Sequence, residues 1–289
     1  MRAILPVLLL LTACYSGYSQ KDTDIFILSV NFNAPKPVIK DAINITNRPG
    51  NDKDPMFDTS GKNIYYARKS YYGESDIYVY NIKKRTHTQL TFTRDKESKP
   101  QYTFDRKNLT VIIEDNSGDK HLGQIPLQGG DSQTLLDLID DVSGYTWCGE
   151  YLAAVYSESA SNLHLANVLT NAEEATQVGI FGATLQYLPF DNSLYFVDKT
   201  TSVWMMKKLY LDDSRIRPVL KMVSKSEFFH ITSDGSILVG DGYSLFYRAR
   251  NADNFQFLLK LEELGINQYN HMTLSPDEKT IALVAVTKE

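Results

Sequence analysis

The chain has 289 residues, 43% of them hydrophobic and 22% charged, with a formal net charge of −5. That length suits one large domain or two small ones. No long basic run exists, which argues against nucleic-acid binding, since phosphate contacts need clustered Lys and Arg. The nearest run, Lys83-Lys84-Arg85, falls in a predicted hairpin turn. The 18 tyrosines, with Phe, Ile and Val, favour strands.

The first 20 residues, MRAILPVLLLLTACYSGYSQ, stand apart from the rest. Arg2 precedes an apolar stretch from Val7 to Leu11 that is too short to span a bilayer. The segment reads as an export signal covering residues 1–20. Two processing routes fit it. Leu11-Thr12-Ala13-Cys14 has the form of a bacterial lipobox, which would place a lipid on Cys14. Gly17-Tyr18-Ser19 offers an ordinary cleavage site that leaves Gln20 first. The second cysteine, Cys148, follows Trp147 in an apolar stretch and reads as a small core residue. No disulfide framework is expected.

From Asp24 onward the chain repeats itself. Shifted by 45 residues, Ile45-Thr46 falls on Leu90-Thr91, Pro55 on Pro100, Phe57 on Tyr102 and Lys62-Asn63-Ile64 on Lys107-Asn108-Leu109. Bulky anchors recur at Phe57, Tyr102, Trp147, Leu188, Ile231 and Leu274, spaced 45, 45, 41, 43 and 43. A polar turn follows each, and the next strand opens on Ile64, Leu109, Leu152, Leu194, Ile237 or Ile281. In the first unit, strands are expected at about 55–58, 63–68, 76–81 and 86–91. Four short strands per unit of about 44 residues fit the blade of a β-propeller. Helical spacing is confined to two short candidates, Leu135 to Ile139 and Leu259 to Leu264. The sixth unit stops after two strands, and Asp24-Ile25-Phe26 matches Asp76-Ile77-Tyr78. The N-terminal strands are therefore expected to complete the C-terminal blade. This gives an all-β, six-bladed propeller over residues 21–289 with four-stranded antiparallel blades and a closed ring.

The segment DKDPMFDTSGKNIYYA with SDIYVYNIKKRTHTQLT resembles the repeat of TolB-type (WD40-like) six-bladed propellers. Asp52, Pro55, Phe57, Gly61, Lys62 and Ile64 carry the first half of that pattern, and Asp76, Ile77, Tyr78, Leu90 and Thr91 the second. LSPDEKTIALV from Leu274 is the other good copy, with Glu278 in place of the turn glycine. A leader followed by a lone propeller is similar to exported proteins of Bacteroidetes-type bacteria. That resemblance implies a protein of the periplasm or outer membrane. TolB proper has a further N-terminal domain for which this chain has no room, so a role in the Tol system is not expected.

The repeat residues build hairpins, which moves the search for chemistry to the loops around the channel. Possible channel-face binding residues are Asp52, Lys99, Tyr145, His230 and His271. Asp54, Glu97 and Asp141 are candidate carboxylate ligands for a divalent ion such as Ca²⁺. No motif fixes their geometry, and no cofactor is expected. The histidines lie in separate units, without the spacing of a zinc site. No Gly-x-Ser-x-Gly nucleophile elbow or phosphate-binding glycine loop occurs. No catalytic residue is assigned. Tyr71, Tyr72, Tyr145 and Tyr269 are aromatics that would stack on sugars or anchor a protein if exposed. The leading expectation is a non-catalytic envelope module that binds a protein or glycan, as a monomer or within a larger complex. It would meet the membrane only through a lipid anchor. The alternative is a metal-dependent hydrolase or lyase at the channel mouth.

Overall fold

The computed structural model describes residues 22–34, 36–70, 73–223 and 225–287. The leader, Cys14, Tyr71 and Tyr72 lie outside the described residues. Two strands open the chain, β1 (Thr23–Asn31) and β2 (Val38–Asn44). Five groups of four follow. The first holds β3 (Asp52–Phe57), β4 (Asn63–Lys69), β5 (Ser75–Asn81) and β6 (Thr86–Gln89). The second holds β7 (Lys96–Tyr102), β8 (Asn108–Glu114), β9 (Lys120–Pro126) and β10 (Gln133–Leu136). Next come β11 (Val142–Trp147), β12 (Leu152–Ser157), β13 (Asn162–Asn167) and β14 (Ala172–Val178). The fourth holds β15 (Phe181–Leu188), β16 (Ser193–Asp198), β17 (Met205–Tyr210) and β18 (Ile216–Lys221). The fifth holds β19 (Phe228–Ile231), β20 (Ile237–Gly240), β21 (Ser244–Arg248) and β22 (Gln256–Lys260). The chain ends on β23 (Tyr269–Leu274) and β24 (Thr280–Val286). Of the two helical candidates, Leu261–Leu264 forms a 3₁₀ helix. The other is strand: Gln133–Leu136 pairs with β9, which satisfies its backbone inside a sheet.

The strands form four four-stranded sheets and one of eight. This corrects the expectation of six separate blades. The cause is local. β5 and β7 share one parallel pair, Ser75 with Lys96, and that pair joins the groups β3–β6 and β7–β10 into one hydrogen-bonded sheet. The same contact recurs where β1 meets the start of β3, as a parallel bridge between Thr23 and Asn51. Each junction also carries a hydroxyl hook. Thr23 Oγ1 donates to the Asp52 carbonyl at 3.0 Å, and Ser75 Oγ to the Glu97 carbonyl at 2.9 Å.

The terminal strands share a sheet in the order β2-β1-β24-β23. β1 and β24 pair antiparallel from Thr23 with Val286 to Ser29 with Thr280. The likeness of Asp24-Ile25-Phe26 to Asp76-Ile77-Tyr78 is one of bonding as well as spelling. The Ile25 amide donates to Thr46 Oγ1 at 3.0 Å, and the Ile77 amide to Thr91 Oγ1 at 2.9 Å. Ile-Thr and Leu-Thr therefore close the outer hairpins by the same side-chain cap.

Burial explains the strand sequences. The second strands of the groups are apolar nearly throughout, as in NLTVIIE of β8 and TIALVAV of β24, because both sheet faces are covered. The outermost strands are more exposed, wholly polar in THTQ of β6 but burying Leu136 in β10 and Leu258 and Leu259 in β22. The core fills the gaps between neighbouring sheets. Ile25, Ile45, Ala282 and Val284 of the terminal sheet pack against Phe57, Ile64, Tyr66 and Tyr80. Cys148, Tyr156 and Leu163 pack against Phe181, Leu194, Phe196 and Leu209. Cys148 is buried as expected, and burial pushes its thiol up to about 12. Hairpin turns between the first and second strands use the left-handed region, with φ of 68° at Gly61, 85° at Gly235 and 56° at Glu278. Glu278 thus holds the conformation that glycine holds elsewhere. Among the described residues no helix is long and apolar enough to cross a membrane.

Deleting residues 22–46 strips β24 of one of its two partners and removes the buried side chains of Ile25, Leu28, Val30 and Ile39. At about 2 kcal/mol for each buried aliphatic side chain, the loss rivals the net stability of a typical domain. The deletion is expected to abolish cooperative thermal unfolding. Calorimetry checks this, and an unchanged melting transition would refute it.

Candidate functional site

The strands that open each group converge on one cavity of about 420 Å³. Its lining comes from β3, β7, β11, β15, β19 and β23. Polar groups on it include Asp54, Lys99, Gln101, Gln186, His230 and His271, and aromatic ones Tyr102, Trp147, Tyr187 and Phe229.

Two bulges bring the central charges inward. The β3–β4 register shifts between Lys53 and Met56, and the β7–β8 register between Ser98 and Gln101. The intervening residues are Asp54-Pro55 and Lys99-Pro100. Asp54 has φ of 54° and Lys99 of 50°, left-handed values unusual outside glycine. A bulge re-aims a side chain, and proline, having no N–H to lose, suits such a break in the ladder. Unit spacing of 45 therefore places an acid and a base at the same point of adjacent strands.

Neighbouring strands are tied across the cavity wall. The Lys99 amide donates to Asp54 Oδ2 at 3.3 Å. Lys99 Nζ donates to the Ser143 carbonyl at 2.6 Å, and Gln101 Nε2 to the Tyr145 carbonyl at 2.8 Å. Gln186 bonds both the carbonyl and the amide of Ile231, each at 2.8 Å. Phe228 stacks on His271 with ring centroids 6.1 Å apart. His271 Nδ1 lies 3.7 Å from Asp54 Oδ1, within ion-pair range but beyond a hydrogen bond. Burial lowers the pKa of His271, against the opposing pull of Asp54. Burial also lowers Lys99, again against Asp54, and brings His230 down to about 4. Both imidazoles are thus held neutral at pH 7.

The structure brings Asp54, Lys99, Tyr145, His230 and His271 to this one cavity. Tyr145 is only 3% exposed, and its hydroxyl lies 2.7 Å from the Lys99 carbonyl and 2.6 Å from that of Thr110. It is a wall element, with its polar end already engaged. Tyr269 is also buried, at 1% exposure, which corrects its reading as an exposed aromatic. Asp52 does not reach the channel face. It is wholly buried and held by Arg48 Nη2 at 2.7 Å, while burial outweighs Arg48 and raises its pKa. Glu97, at the matching position, is also wholly buried, and Thr91 and Thr93 donate their hydroxyls to its two carboxylate oxygens. Asp141 lies away from this cavity and pairs with Lys120 Nζ at 2.9 Å. Gln101 and Gln186 join the site without having been singled out, and Trp147, named only as a repeat anchor, joins it too. Their signal was available, since each lies in an anchor strand within two residues of a repeat anchor.

The expected carboxylate set does not converge on an ion. Among the described residues no group of three or more His, Cys, Asp and Glu is placed to hold a metal. Among the described residues Asp54 is the one carboxylate on the cavity lining, and Lys53 Nζ lies 4.0 Å from its Oδ2.

No family model matches the sequence, and no curated protein matches it either. Solved structures do match the fold. A TolB-type protein from Agrobacterium tumefaciens superposes with a TM-score of 0.68 at 12% identity, covering 94% of this chain and 100% of that one. The fold is a β-propeller. An oligogalacturonate lyase in complex with manganese matches this propeller with a TM-score of 0.62 at 11% identity, over 91% of this chain and 86% of the other. A gluconolactonase-family protein matches it at 0.59 and 8% identity, over 82% and 89%. At such identities the likeness concerns the propeller scaffold, which carries unrelated functions.

Glu97 gives the propeller a distinctive pH dependence. Burial, the largest influence, raises its pKa from 4.5 to about 7 against the threonine bonds that lower it. The folded state therefore holds the proton more tightly than the unfolded chain. Its contribution is full below about pH 4.5 and is lost as pH rises through about 7. The difference is at most about 3 kcal/mol at 1.36 kcal/mol per pH unit. His230 works in the opposite sense, losing stability as pH falls from 6.5 towards about 4. Glu97→Gln should remove the decline in stability between about pH 4.5 and 7 and leave the acid-side loss in place. Urea denaturation across pH checks this; an unchanged alkaline limb would refute it.

Proposed function

We propose that this chain is a binding propeller of the cell envelope, recognising a protein or glycan at the mouth of the central cavity. The observation that carries the reading is an arc of exposed aromatics. Phe104 is 53% exposed, Tyr151 44% and Phe190 61%. They sit in the first hairpin turns of three successive groups, just past Tyr102, Trp147 and Tyr187, which line the cavity. A rigid wall beneath a variable aromatic rim suits recognition, since exposed aromatics contribute large contact area at low entropic cost.

The same reading takes the scaffold as six blades in a ring. The eight-stranded sheet then counts as two blades joined by the pair Ser75–Lys96. Contacts between first strands support this, running from β3 to β7, β11 to β15, β15 to β19, β19 to β23 and β23 back to β3. The Lys99–Ser143 and Gln101–Tyr145 bonds supply the step from β7 to β11. The Bacteroidetes-type resemblance and the leader support an exported protein, lipid-anchored at Cys14.

A second reading, an enzyme acting at the channel mouth, has one observation in its favour. His271 is held neutral beside Asp54 on the cavity wall, the arrangement of a general base with a carboxylate behind it. The lyase and gluconolactonase-type structures share this scaffold. The donor set on this wall, one carboxylate beside one imidazole, suits proton transfer.

Two measurements test these readings. A glycan array and cross-linking in envelope extract should give saturable capture. Trp147→Ala with Phe190→Ala should weaken it at least about tenfold, the equivalent of 1.4 kcal/mol. Turnover of a polysaccharide or lactone that disappears in His271→Gln would overturn the binding reading. For the anchor, metabolic labelling with a radioactive fatty acid should mark the wild type and leave Cys14→Ala unmarked. An unlabelled wild type would remove the lipid claim.

A further inference from the structure

A second cavity, of about 520 Å³, opens at the starting ends of β3, β7, β11 and β23, away from the aromatic rim. Lys99 lines both cavities. The second is lined by five lysines, Lys53, Lys69, Lys96, Lys99 and Lys120, and by a single carboxylate, Glu114. The chain as a whole carries a net charge of −5, so this concentration of cations runs against its composition.

We infer that this cavity binds a small polyanion, a molecule bearing two or more carboxylate or phosphate groups. The positive charges are spread over β3, β4, β7 and β9 rather than gathered at a point, which suits an anion with separated charged groups. Lysine serves as a mobile point charge, without the fixed bidentate fork of arginine. Neutral hydrogen-bonding groups are interspersed, with Asn51, Asn270, Ser98 and Ser143 on the lining. Acids temper the site: Glu158 and Glu227 act on Lys99 from a distance, and three others lie against single lysines. Glu114 pairs with Lys96, Asp141 with Lys120 at 2.9 Å, and Asp54 lies 4.0 Å from Lys53. These pairs hold ammonium groups in place, while on the lining itself five lysines face one carboxylate. Lys53 and Lys96 keep 49% and 50% of their side-chain surface exposed, so they are accessible to a ligand.

Lys99 is the deepest of the five. Its ammonium donates to the Ser143 carbonyl at 2.6 Å, a neutral partner. Burial lowers its pKa, so the charged form is short of compensation, and an anion in the adjoining cavity would supply it. The bulge at Lys99, with φ of 50°, fixes where that charge sits. This inference does not rest on the aromatic rim. A ligand here meets the starting ends of the inner strands, whereas the rim lies beyond their other ends.

Calorimetric titration of the leaderless protein with citrate and with pyrophosphate tests the inference. Saturable binding of at least one is expected, weakening as salt is raised because exposed ammonium groups are screened. Tighter binding of citrate assigns carboxylates to the site, and tighter binding of pyrophosphate assigns phosphates. Lys53→Ala and Lys96→Ala change exposed side chains and should fold. Each should weaken binding about fivefold to tenfold, in line with loss of one charge-assisted hydrogen bond. Phe190→Ala, in the opposite rim, should leave it unchanged. The inference is overturned if neither anion binds, or if binding is insensitive to both lysine substitutions. Either result leaves the capture experiment at the aromatic rim free to succeed or fail separately.

Discussion

The interaction on which this molecule depends is the face-to-face packing of one small twisted sheet on the next. A four-stranded sheet with an apolar middle strand on both faces, such as Leu109–Ile113 of β8 or Ile281–Ala285 of β24, has no stable existence alone. Each sheet covers its neighbour, and the clusters that result span two sheets rather than filling one. Ile25 and Val284 meet Phe57 and Ile64, while Tyr156 and Leu163 meet Phe196 and Leu209. The first strands are thereby driven together, and the central cavity is the space their side chains leave. Function at that cavity comes from positions that the core does not need.

The scaffold was largely legible in the sequence because it repeats. Ile45-Thr46 and Leu90-Thr91 read as one signal, and the structure gives them one job, capping the Ile25 and Ile77 amides. The merging of two units through Ser75 and Lys96 was not legible. It depends on a single backbone pair between residues with ordinary side chains. The helical reading of Leu135 to Ile139 failed for a related reason. A short apolar run has no period of its own, and pairing with β9 decided it.

The site was legible only as a set of positions. Asp52 and Asp54 are two residues apart, yet one is sealed under Arg48 and the other lines the cavity. The difference lies in the bulge at Asp54-Pro55, which no alternation rule anticipates. Equally, Glu97 and Lys99 exchange the roles that charge alone would suggest. The acid is buried among threonine hydroxyls, and the base stands between two cavities. Asp54, Glu97 and Asp141 read alike as loop carboxylates, whereas placement sends them to three different surroundings, with only Asp54 on the lining of the central cavity.

The pairing of β1 with β24 has a consequence for how the protein is made. Thr287 Oγ1 donates to the Asp22 carbonyl across 265 residues of chain, and the flanking ladder joins partners almost as distant. During synthesis β1 emerges first, and its partner emerges last. Until then β1 has only β2 to pair with, and its other edge stays open. Such long-range pairing is slow and leaves nascent chains prone to association. A nascent chain of this kind keeps that edge open until its last strand is made. Premature termination before β24 would leave the edge of β1 without its ladder.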